Sequence, residues 1–476
     1  LTTAPALTVT LTGSTTIAQV NDIVGNYSRL NSGGQIGNLA DTAVQQGIGV
    51  VTATIAENDM ASLAALTATA GAYSISVSDT SVNAAALNTL DGKTTESITL
   101  ANNAVLTGAL TAGGAVDTAL SSAGITGIGA ISVSSSDANN TIAEVNNIAG
   151  QTTGPVTATI SETAIAALGG LTDTGNAYTI TVADTTVDAA ALNVLNGKTT
   201  VAVTVNATNI TGNLSDIKSA YDANTSGQIS GLGNETITVS DTGSISSADL
   251  NSLNALTTGV VTISNATTVT GSLSEVVKSY SSNNLSGVIT GLSNEAITIT
   301  DTGSINAADL NDLNSKTTGV VTVNNATAIS GTYADVNAAY TSNTSGSVAG
   351  LGNESVTISD TTSITVAQAN ALDTLTSGVI TATISSNDID TLDSLTGQGN
   401  AYSITVNDSS VSADKLNTLE AKTTAAVSVT SNTVTGTSSA IKSAYTSTGL
   451  TGLGSEAITV TGSVSVADVN IIGGYT

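Results

Sequence analysis

The strongest constraint in this sequence is an internal repeat. A segment of the form V-x-A-A-D-L-N-x-L recurs along the chain within a first repeat unit, which reads TITVSDTGSISSADLNSLNALTTG at 236–259 and AITITDTGSINAADLNDLNSKTTG at 296–319. The nine copies of its asparagine are Asn21, Asn88, Asn146, Asn193, Asn251, Asn311, Asn370, Asn417 and Asn470. Self-similarity of this kind is typical of repeat proteins, in which each unit covers the hydrophobic face of the next.

Two further units fill the space between these copies. The second unit occupies 260–295 and 320–354, and a shorter third unit occupies 50–71, 155–176 and 379–400. Every unit opens with alternating polar and β-branched residues, the pattern of a half-buried strand, and then turns at an Asp or Asn. A helix follows and stops near a Gly. We interpret the three units as diverged copies of one coil.

The helix of the second unit illustrates the local pattern. Its start carries the capping pair Ser272 and Glu275, and equivalent pairs recur at other helix starts: Asn213–Asp216, Ser246–Asp249 and Thr332–Asp335. Its expected buried stripe is Leu273, Val276, Val277 and Tyr280. A strand, a corner and a helix in this order predict right-handed crossovers between parallel strands.

The predicted fold is a β-rich α/β repeat solenoid. We expect a parallel β-solenoid of about 17 stacked coils, each a strand, a corner, a second strand and a short helix. The chain has no Trp and no Phe, and a core only two side chains across can be built without them. One continuous array is expected over 1–476, with an irregular insertion or junction element at 26–49. Neither end shows a polar cap, which suggests a longer parent chain or head-to-tail stacking of subunits.

Composition restricts the partners and the chemistry. With 36 acidic and 9 basic residues, the net charge is −27, so nucleic acid and anionic membranes are poor partners. No apolar run reaches the roughly 18 residues of a membrane span. Because the chain has no His and no Cys, the usual general bases and nucleophiles are missing, and we expect no enzyme. No cofactor is expected, with calcium as the one candidate.

Two sets of repeated residues are predicted to be structural. The nine asparagines are expected to form an internal ladder that bonds backbone groups at the coil turns. The packing tyrosines end the second-unit helices, with hydroxyls expected to reach water: Tyr221, Tyr280, Tyr340 and Tyr445. A further set, Tyr73, Tyr178 and Tyr402, starts the strand after each third unit. Evenly spaced aromatics could alternatively form a carbohydrate platform, although packing is favoured.

The recurring acids are weaker candidates for function. The corner acids are Asp79, Asp184, Asp241, Asp301, Asp360 and Asp408. A local turn, in which each carboxylate bonds its own backbone two residues on, is favoured over a row of weak calcium ligands. The acids of the L-G-N-E and L-S-N-E strings, Glu235, Glu295 and Glu354, are expected to be solvated loop residues.

The strings GLGNETITVSDTGSISSADLN and AITITDTGSINAADLN carry a resemblance to known proteins. They resemble the giant repetitive cell-surface proteins of marine cyanobacteria and other aquatic bacteria, including adhesins and swimming-associated surface proteins. The resemblance covers nearly the whole chain and implies secretion and a mechanical or adhesive duty at the cell surface.

The expected function is therefore that of an extracellular structural protein: a surface filament, a surface layer or an adhesin stalk. Its main partner would be itself, by head-to-tail stacking or lateral contact, with a cell-surface glycan as a further partner. One alternative is an adhesion module that binds glycan or ice through a flat Thr-rich face, with strand residues such as Thr238, Thr262, Thr298, Thr322 and Thr357. A viral fibre is the other alternative.

Overall fold

The chain is an α/β protein with many short parallel strands in several parallel sheets. The computed structural model describes residues 7–31, 48–69, 71–285, 288–359, 361 and 363–476. Within these residues it has 17 helices. The chain divides into two compact units, residues 1–212 with 216–235 and residues 213–215 with 236–476. Most of the predicted junction element at 26–49 lies outside the described residues.

The first unit contains fifteen described strands and the first eight helices, the last of which begins at Leu214. The strands are β1 Leu7–Thr15, β2 Ile48–Ile55, β3 Ala72–Val77, β4 Ser81–Asn83, β5 Ile98–Leu100, β6 Val105–Gly108, β7 Ile125–Thr126, β8 Ser132–Ser135, β9 Val156–Thr159, β10 Ala177–Thr179, β11 Thr181–Val182, β12 Thr186–Asp188, β13 Val203–Val205, β14 Asn209–Gly212 and β15 Ile229–Ser230. The helices are α1 Ile17–Asn31, α2 Met60–Leu63, α3 Ala84–Asp91, α4 Ala115–Ser121, α5 Ile142–Ala149, α6 Ile165–Leu168, α7 Ala189–Asn196 and α8 Leu214–Thr225.

The second unit contains the remaining described elements. Its strands are β16 Thr236–Val239, β17 Ser244–Ser246, β18 Val261–Ile263, β19 Thr268–Gly271, β20 Ile289–Thr290, β21 Ala296–Ile299, β22 Ser304–Asn306, β23 Val321–Val323, β24 Ala328–Gly331, β25 Val348–Ala349, β26 Ser355–Ile358, β27 Ile380–Thr383, β28 Ala401–Val406, β29 Ser410–Ser412, β30 Val427–Val429, β31 Thr433–Gly436, β32 Leu450–Thr451 and β33 Ala457–Val460. Its helices are α9 Ser247–Asn254, α10 Leu273–Leu285, α11 Ala307–Lys316, α12 Tyr333–Ser345, α13 Val366–Asp373, α14 Ile389–Leu392, α15 Ala413–Glu420, α16 Ser438–Thr446 and α17 Val466–Ile472.

Within each unit the strands pair side by side in parallel rows. The rows of the first unit are β1–β2–β3–β5–β7, β4–β6–β8–β9–β10, β11–β13–β15 and β12–β14. Those of the second unit are β16–β18–β20, β17–β19–β21–β23–β25, β22–β24–β26–β27–β28–β30–β32 and β29–β31–β33. Ile237 lies opposite Val261, and Val261 lies opposite Ile289, so successive strands of this row are 24 and then 28 residues apart. The chain therefore returns to the same row once per repeat.

Strand alternation places the aliphatic residues inside, as the sequence predicts. Ile237 and Val239 are fully buried, and the intervening Thr238 is not. The row that begins at β17 stacks one inward residue per strand: Ile245, Val269, Ile297, Val321 and Val348. Each of these is at most 2% exposed, so the row forms a continuous aliphatic core.

The number of strands between helices differs from the sequence prediction. Two strands, β23 and β24, precede α12, whereas three strands, β20, β21 and β22, precede α11. The extra strand arises because each copy of the second repeat unit contains an additional two-residue strand after its helix, such as β20. In the second compact unit, the three-residue strands β17 and β22 precede A-D-L-N helices and each starts a row, whereas the two-residue strands β20, β25 and β32 each end one. Rows are therefore staggered along the second unit.

The helix starts are capped largely as predicted. Ser246 and Thr332 are N-caps whose hydroxyls accept from the backbone N–H three residues on, and Ser272 accepts from Glu275 N–H at 3.3 Å. The full reciprocal capping box is formed at three other helices, by Thr16 with Gln19, by Thr141 with Glu144 and by Thr365 with Gln368. Consecutive helices pack against each other, as α9, α10 and α11 do.

Candidate functional site

The most regular polar feature of the molecule is the set of repeated asparagines. Eight of the nine donate from Nδ2 to a backbone carbonyl in the following repeat, at 2.8–3.0 Å: Asn21 to Ala65, Asn88 to Ala115, Asn146 to Gly170, Asn193 to Asp216, Asn251 to Glu275, Asn311 to Asp335, Asn370 to Ser394 and Asn417 to Ala440. Asn470, in α17, is exposed. The bonds join one helix to the next helical segment, so each asparagine links successive repeats.

The second atom of the amide distinguishes two kinds of repeat. Where the next helix is a four-residue one, the asparagine oxygen accepts a backbone N–H as well: Thr67 N–H donates to Asn21 at 2.9 Å, and Thr396 N–H donates to Asn370 at 3.0 Å. Before a long helix, the Asn251 oxygen accepts from the buried Ser279 hydroxyl at 3.0 Å. In the short repeats, the asparagine therefore bonds the backbone of the next repeat both through its Nδ2 and through its Oδ1.

The corner acids bind helix N-termini. In each described case Oδ2 accepts from the first backbone N–H of the preceding helix, at 2.7–2.9 Å: Asp79 from Met60, Asp184 from Ile165, Asp241 from Leu214, Asp301 from Leu273 and Asp408 from Ile389. Asp360 lies outside the described residues. This partner, 19 to 28 residues away, differs from the local turn bond that the sequence favoured. A negative charge at a helix start is stabilising because unpaired N–H groups point towards it.

No group of three or more acidic side chains in the described part of the chain is close enough to hold a metal ion. Each described corner acid accepts from the N-terminus of one helix.

The acids of the L-G-N-E strings are buried, and the prediction that they are solvated is wrong. Glu235, Glu295 and Glu354 are 2–4% exposed. The Tyr280 hydroxyl donates to Glu295 Oε2 at 3.0 Å, and the same oxygen accepts from Ser293 N–H at 2.8 Å and from Asn294 N–H at 3.1 Å. A buried carboxylate is tolerated when it is hydrogen-bonded in this way.

The same pair recurs in all four second-unit coils. Tyrosine hydroxyls donate to the matching glutamates at 2.8–3.2 Å: Tyr221 to Glu235, Tyr340 to Glu354 and Tyr445 to Glu456, in addition to Tyr280. Because Tyr221, Tyr280 and Tyr340 are at most 1% exposed, the expectation that their hydroxyls reach water is wrong, whereas Tyr445 is half-buried. Burial, reinforced by Glu295, raises the pKa of Tyr280 above its usual value. Burial alone would raise the pKa of Glu456, but bonds from the Gly454 N–H and other donors outweigh it and the pKa is lowered.

The tyrosines that follow the third units are buried differently. Tyr73, Tyr178 and Tyr402 are fully buried, and their hydroxyls have no hydrogen-bond partner among the described residues. Burial raises the pKa of Tyr178 to about 12, with Asp173 adding to the increase and Asn176 opposing it. A Cβ at position 71 would lie 2.1 Å from the Tyr73 ring, so Gly71 leaves the space that this ring occupies.

A set of threonines at the turns between repeats was not predicted from the sequence; Thr94 and Thr199 are half-buried, and Thr423 is buried. Thr94 Oγ1 donates to Tyr73 O at 2.8 Å and accepts from Tyr73 N–H at 2.9 Å and Glu96 N–H at 3.1 Å. Thr199 makes the same contacts with Tyr178, and Thr423 makes them with Tyr402. The recurrence of Thr-Thr after each helix was the available signal. Because the partner lies on the preceding repeat, this side chain joins neighbouring repeats at their turns.

The outward threonines form short lines across neighbouring strands. Thr262 lies opposite Thr238 on one side and Thr290 on the other, and the hydroxyls of Thr262 and Thr290 are 3.2 Å apart. Ala349 follows Thr322 in the adjoining row. The lines therefore include residues other than Thr.

No protein-family model, curated protein or solved structure matches the chain. Among the helices that the structure describes, none is both long enough and apolar enough to cross a bilayer. The polar contacts between repeats are thus the basis for a functional interpretation.

Proposed function

We propose that each compact unit is a parallel β-solenoid and that the chain, with about 17 coils in all, is a structural protein of the cell surface. It would serve as a filament, a surface layer or an adhesin stalk, without enzymatic activity and without a cofactor. The proposed partner is a second copy of the chain, by stacking or lateral contact, and a surface glycan is a further partner.

The observation that carries this proposal is the link from each repeat to the next. The asparagines, corner acids and turn threonines direct their side-chain bonds to backbone groups one repeat away, for example Asn311 to Asp335 O at 2.9 Å. These side chains supplement the strand pairing and the aliphatic core at each step. A chain in which every repeat is fastened to its neighbours is suited to bearing load.

Composition and resemblance support the location and the absence of catalysis. A chain without His or Cys lacks the common proton-transfer and nucleophilic groups. Its resemblance to giant repetitive surface proteins of aquatic bacteria favours the cell exterior.

Single-molecule stretching of the full chain tests the solenoid. A β-solenoid should unravel by single repeats of 24–28 residues, as measured between paired strands, which corresponds to roughly 80–100 Å of released chain per step. Release of a whole unit in one step would contradict it. Electron microscopy of the purified protein tests the function, because filaments or sheets are expected and dispersed compact particles would argue against a structural role.

A further inference from the structure

A polar cleft in the first compact unit can be compared with the equivalent place in the second compact unit. The cleft, of about 490 Å³, lies between the loops 149–155 and 173–176 of a third-unit coil. Another copy of the third repeat unit, at 379–400, aligns with the copy at 155–176 residue by residue. Asn400 matches Asn176, and Tyr402 matches Tyr178. The two coils can therefore be compared position by position.

In the second compact unit, the Asp373 carboxylate bonds the asparagine that is equivalent to Asn176. Asn400 Oδ1 accepts from Ile380 N–H at 2.8 Å, and Asn400 Nδ2 donates to Asp373 Oδ1 at 2.9 Å. A Cβ at position 397 would lie 2.4 Å from this carboxylate oxygen. Gly397 is thus required for Asp373 to reach the asparagine.

In the first compact unit, other residues stand at the positions of Asp373 and Gly397. Ala149 stands at the position of Asp373, and Asp173 stands at the position of Gly397. Asn176 keeps its orientation, because its Oδ1 accepts from Val156 N–H at 2.7 Å, and it is only 4% exposed. The carboxylate that Asn400 receives from position 373 is therefore absent for Asn176, which lines the cleft.

A second, independent feature lies beside the cleft. The Tyr178 hydroxyl is fully buried and has no hydrogen-bond partner among the described residues. Besides burial, the charge of Asp173, which lines the cleft, raises the pKa of this hydroxyl, and Asn176 lowers it. Asp173 and Asn176 line the cleft, and Tyr178 follows two residues later in β10.

We propose that this cleft binds a neutral, hydroxyl-rich ligand, such as a sugar residue, with one ligand hydroxyl in the place that Asp373 fills in the second unit. A hydroxyl can accept from Asn176 Nδ2 and donate to the Asp173 carboxylate, whereas an anion would be repelled by Asp173. One carboxylate is too few for a calcium site. The cleft is within the size range of small-molecule sites.

Nuclear magnetic resonance of the full chain tests the site directly. Free glucose, galactose and mannose, each at millimolar concentration, are the probes, and sodium acetate is the anionic probe. We expect saturation transfer to at least one sugar and a shift of the Asn176 side-chain amide signal. The proposal is overturned if no sugar shifts this signal, or if acetate alone does.

A double variant, Ala149→Asp with Asp173→Gly, copies the second-unit residues into the first. Because this residue set is accommodated in the second unit, the variant should fold, and sugar binding should weaken by at least about tenfold as the asparagine gains an internal acceptor. Unchanged affinity in a folded double variant would contradict the proposal. The matched control, Asp373→Ala in the second unit, should leave binding at Asn176 unchanged, and a loss there would also contradict it.

Discussion

Two sets of tyrosines, one in the second-unit coils and one after the third-unit coils, fill the core but differ in how their hydroxyls are bonded. Tyr280 and Tyr402 are both 0% exposed. The Tyr280 hydroxyl donates to Glu295 at 3.0 Å, whereas the Tyr402 hydroxyl has no partner among the described residues. The ring fills the core in both places, and only in the second-unit coils does the hydroxyl also hold a loop.

The two kinds of coil differ in the segment that follows the helix. In the second-unit coil, a long helix is followed by a loop that carries Glu295, and this carboxylate gathers the Tyr280 hydroxyl together with two loop N–H groups. In the third-unit coil, a four-residue helix is followed by residues 393–400 and then by the strand of Tyr402, whose backbone N–H and carbonyl bond the Thr423 hydroxyl. The second-unit loop carries a glutamate that bonds the tyrosine hydroxyl, whereas a threonine bonds the tyrosine backbone after the third-unit coil.

Removal of the ring should have the largest effect and should affect both sets alike. Tyr280→Ala and Tyr402→Ala are each expected to lower the local unfolding free energy by about 3–5 kcal/mol, because each leaves a large cavity. Hydrogen exchange of the flanking strands is the appropriate measurement, since repeats can open separately. Val194→Ala, at a side chain that is 61% exposed, is the control. A much smaller loss at Tyr402 would show that the two rings do not fill equivalent cores.

Removal of the buried carboxylate comes next and concerns the second-unit coils alone. Glu295→Ala should cost about 2–3 kcal/mol, because the Tyr280 hydroxyl and two loop N–H groups lose their acceptor. Glu96→Ala, at an exposed side chain, should change stability little. Equal effects of the two substitutions, in the same exchange experiment, would mean that the buried pair does not stabilise the loop.

Removal of the hydroxyl alone separates the two sets most sharply. Tyr280→Phe should cost about 1–2 kcal/mol, since it takes one donor from a buried carboxylate. Tyr402→Phe should be neutral within about 0.5 kcal/mol or slightly stabilising, because a buried hydroxyl without a partner is itself unfavourable. The comparison fails if the two substitutions are equally destabilising in chemical denaturation monitored by local exchange.

The smallest expected effect is a dependence of local stability on pH at the Tyr445–Glu456 pair. The pKa of Glu456 is lower in the folded protein than in the unfolded chain, so its contribution is present above the unfolded pKa and is lost as the pH falls through the folded pKa. Glu456→Gln should therefore flatten the loss of stability below about pH 4 in the coil that contains α16. Identical pH profiles of exchange for the variant and the parent chain would contradict this.

The sequence predicts the local elements well because their signals are local. Alternation identified the strand of Ile237 and Val239, and the spacing of Leu273, Val276 and Tyr280 identified the buried face of α10. Val277 was assigned to the same face but is only half-buried.

The polar contacts between repeats could not be predicted in the same way. Ser279 is buried because its hydroxyl bonds Asn251 of the preceding repeat, and no pattern within α10 indicates this. Glu295 has the sequence surroundings of a surface loop, and its burial depends on a tyrosine 15 residues earlier. The exchange of a carboxylate between positions 149/173 and 373/397 can be read from the aligned repeats, but its meaning depends on the contact between Asp373 and Asn400, which the sequence does not indicate.

The staggered rows of the second unit have a consequence for how damage spreads. The row that starts at β17 ends at β25, and the next row has already started at β22. If strand pairing is lost and the loss spreads along one row, it reaches the last strand of that row within a few repeats, where the overlapping row is still paired. No single row of paired strands runs through all the described repeats of this compact unit, so local unfolding in one row does not by itself open the next.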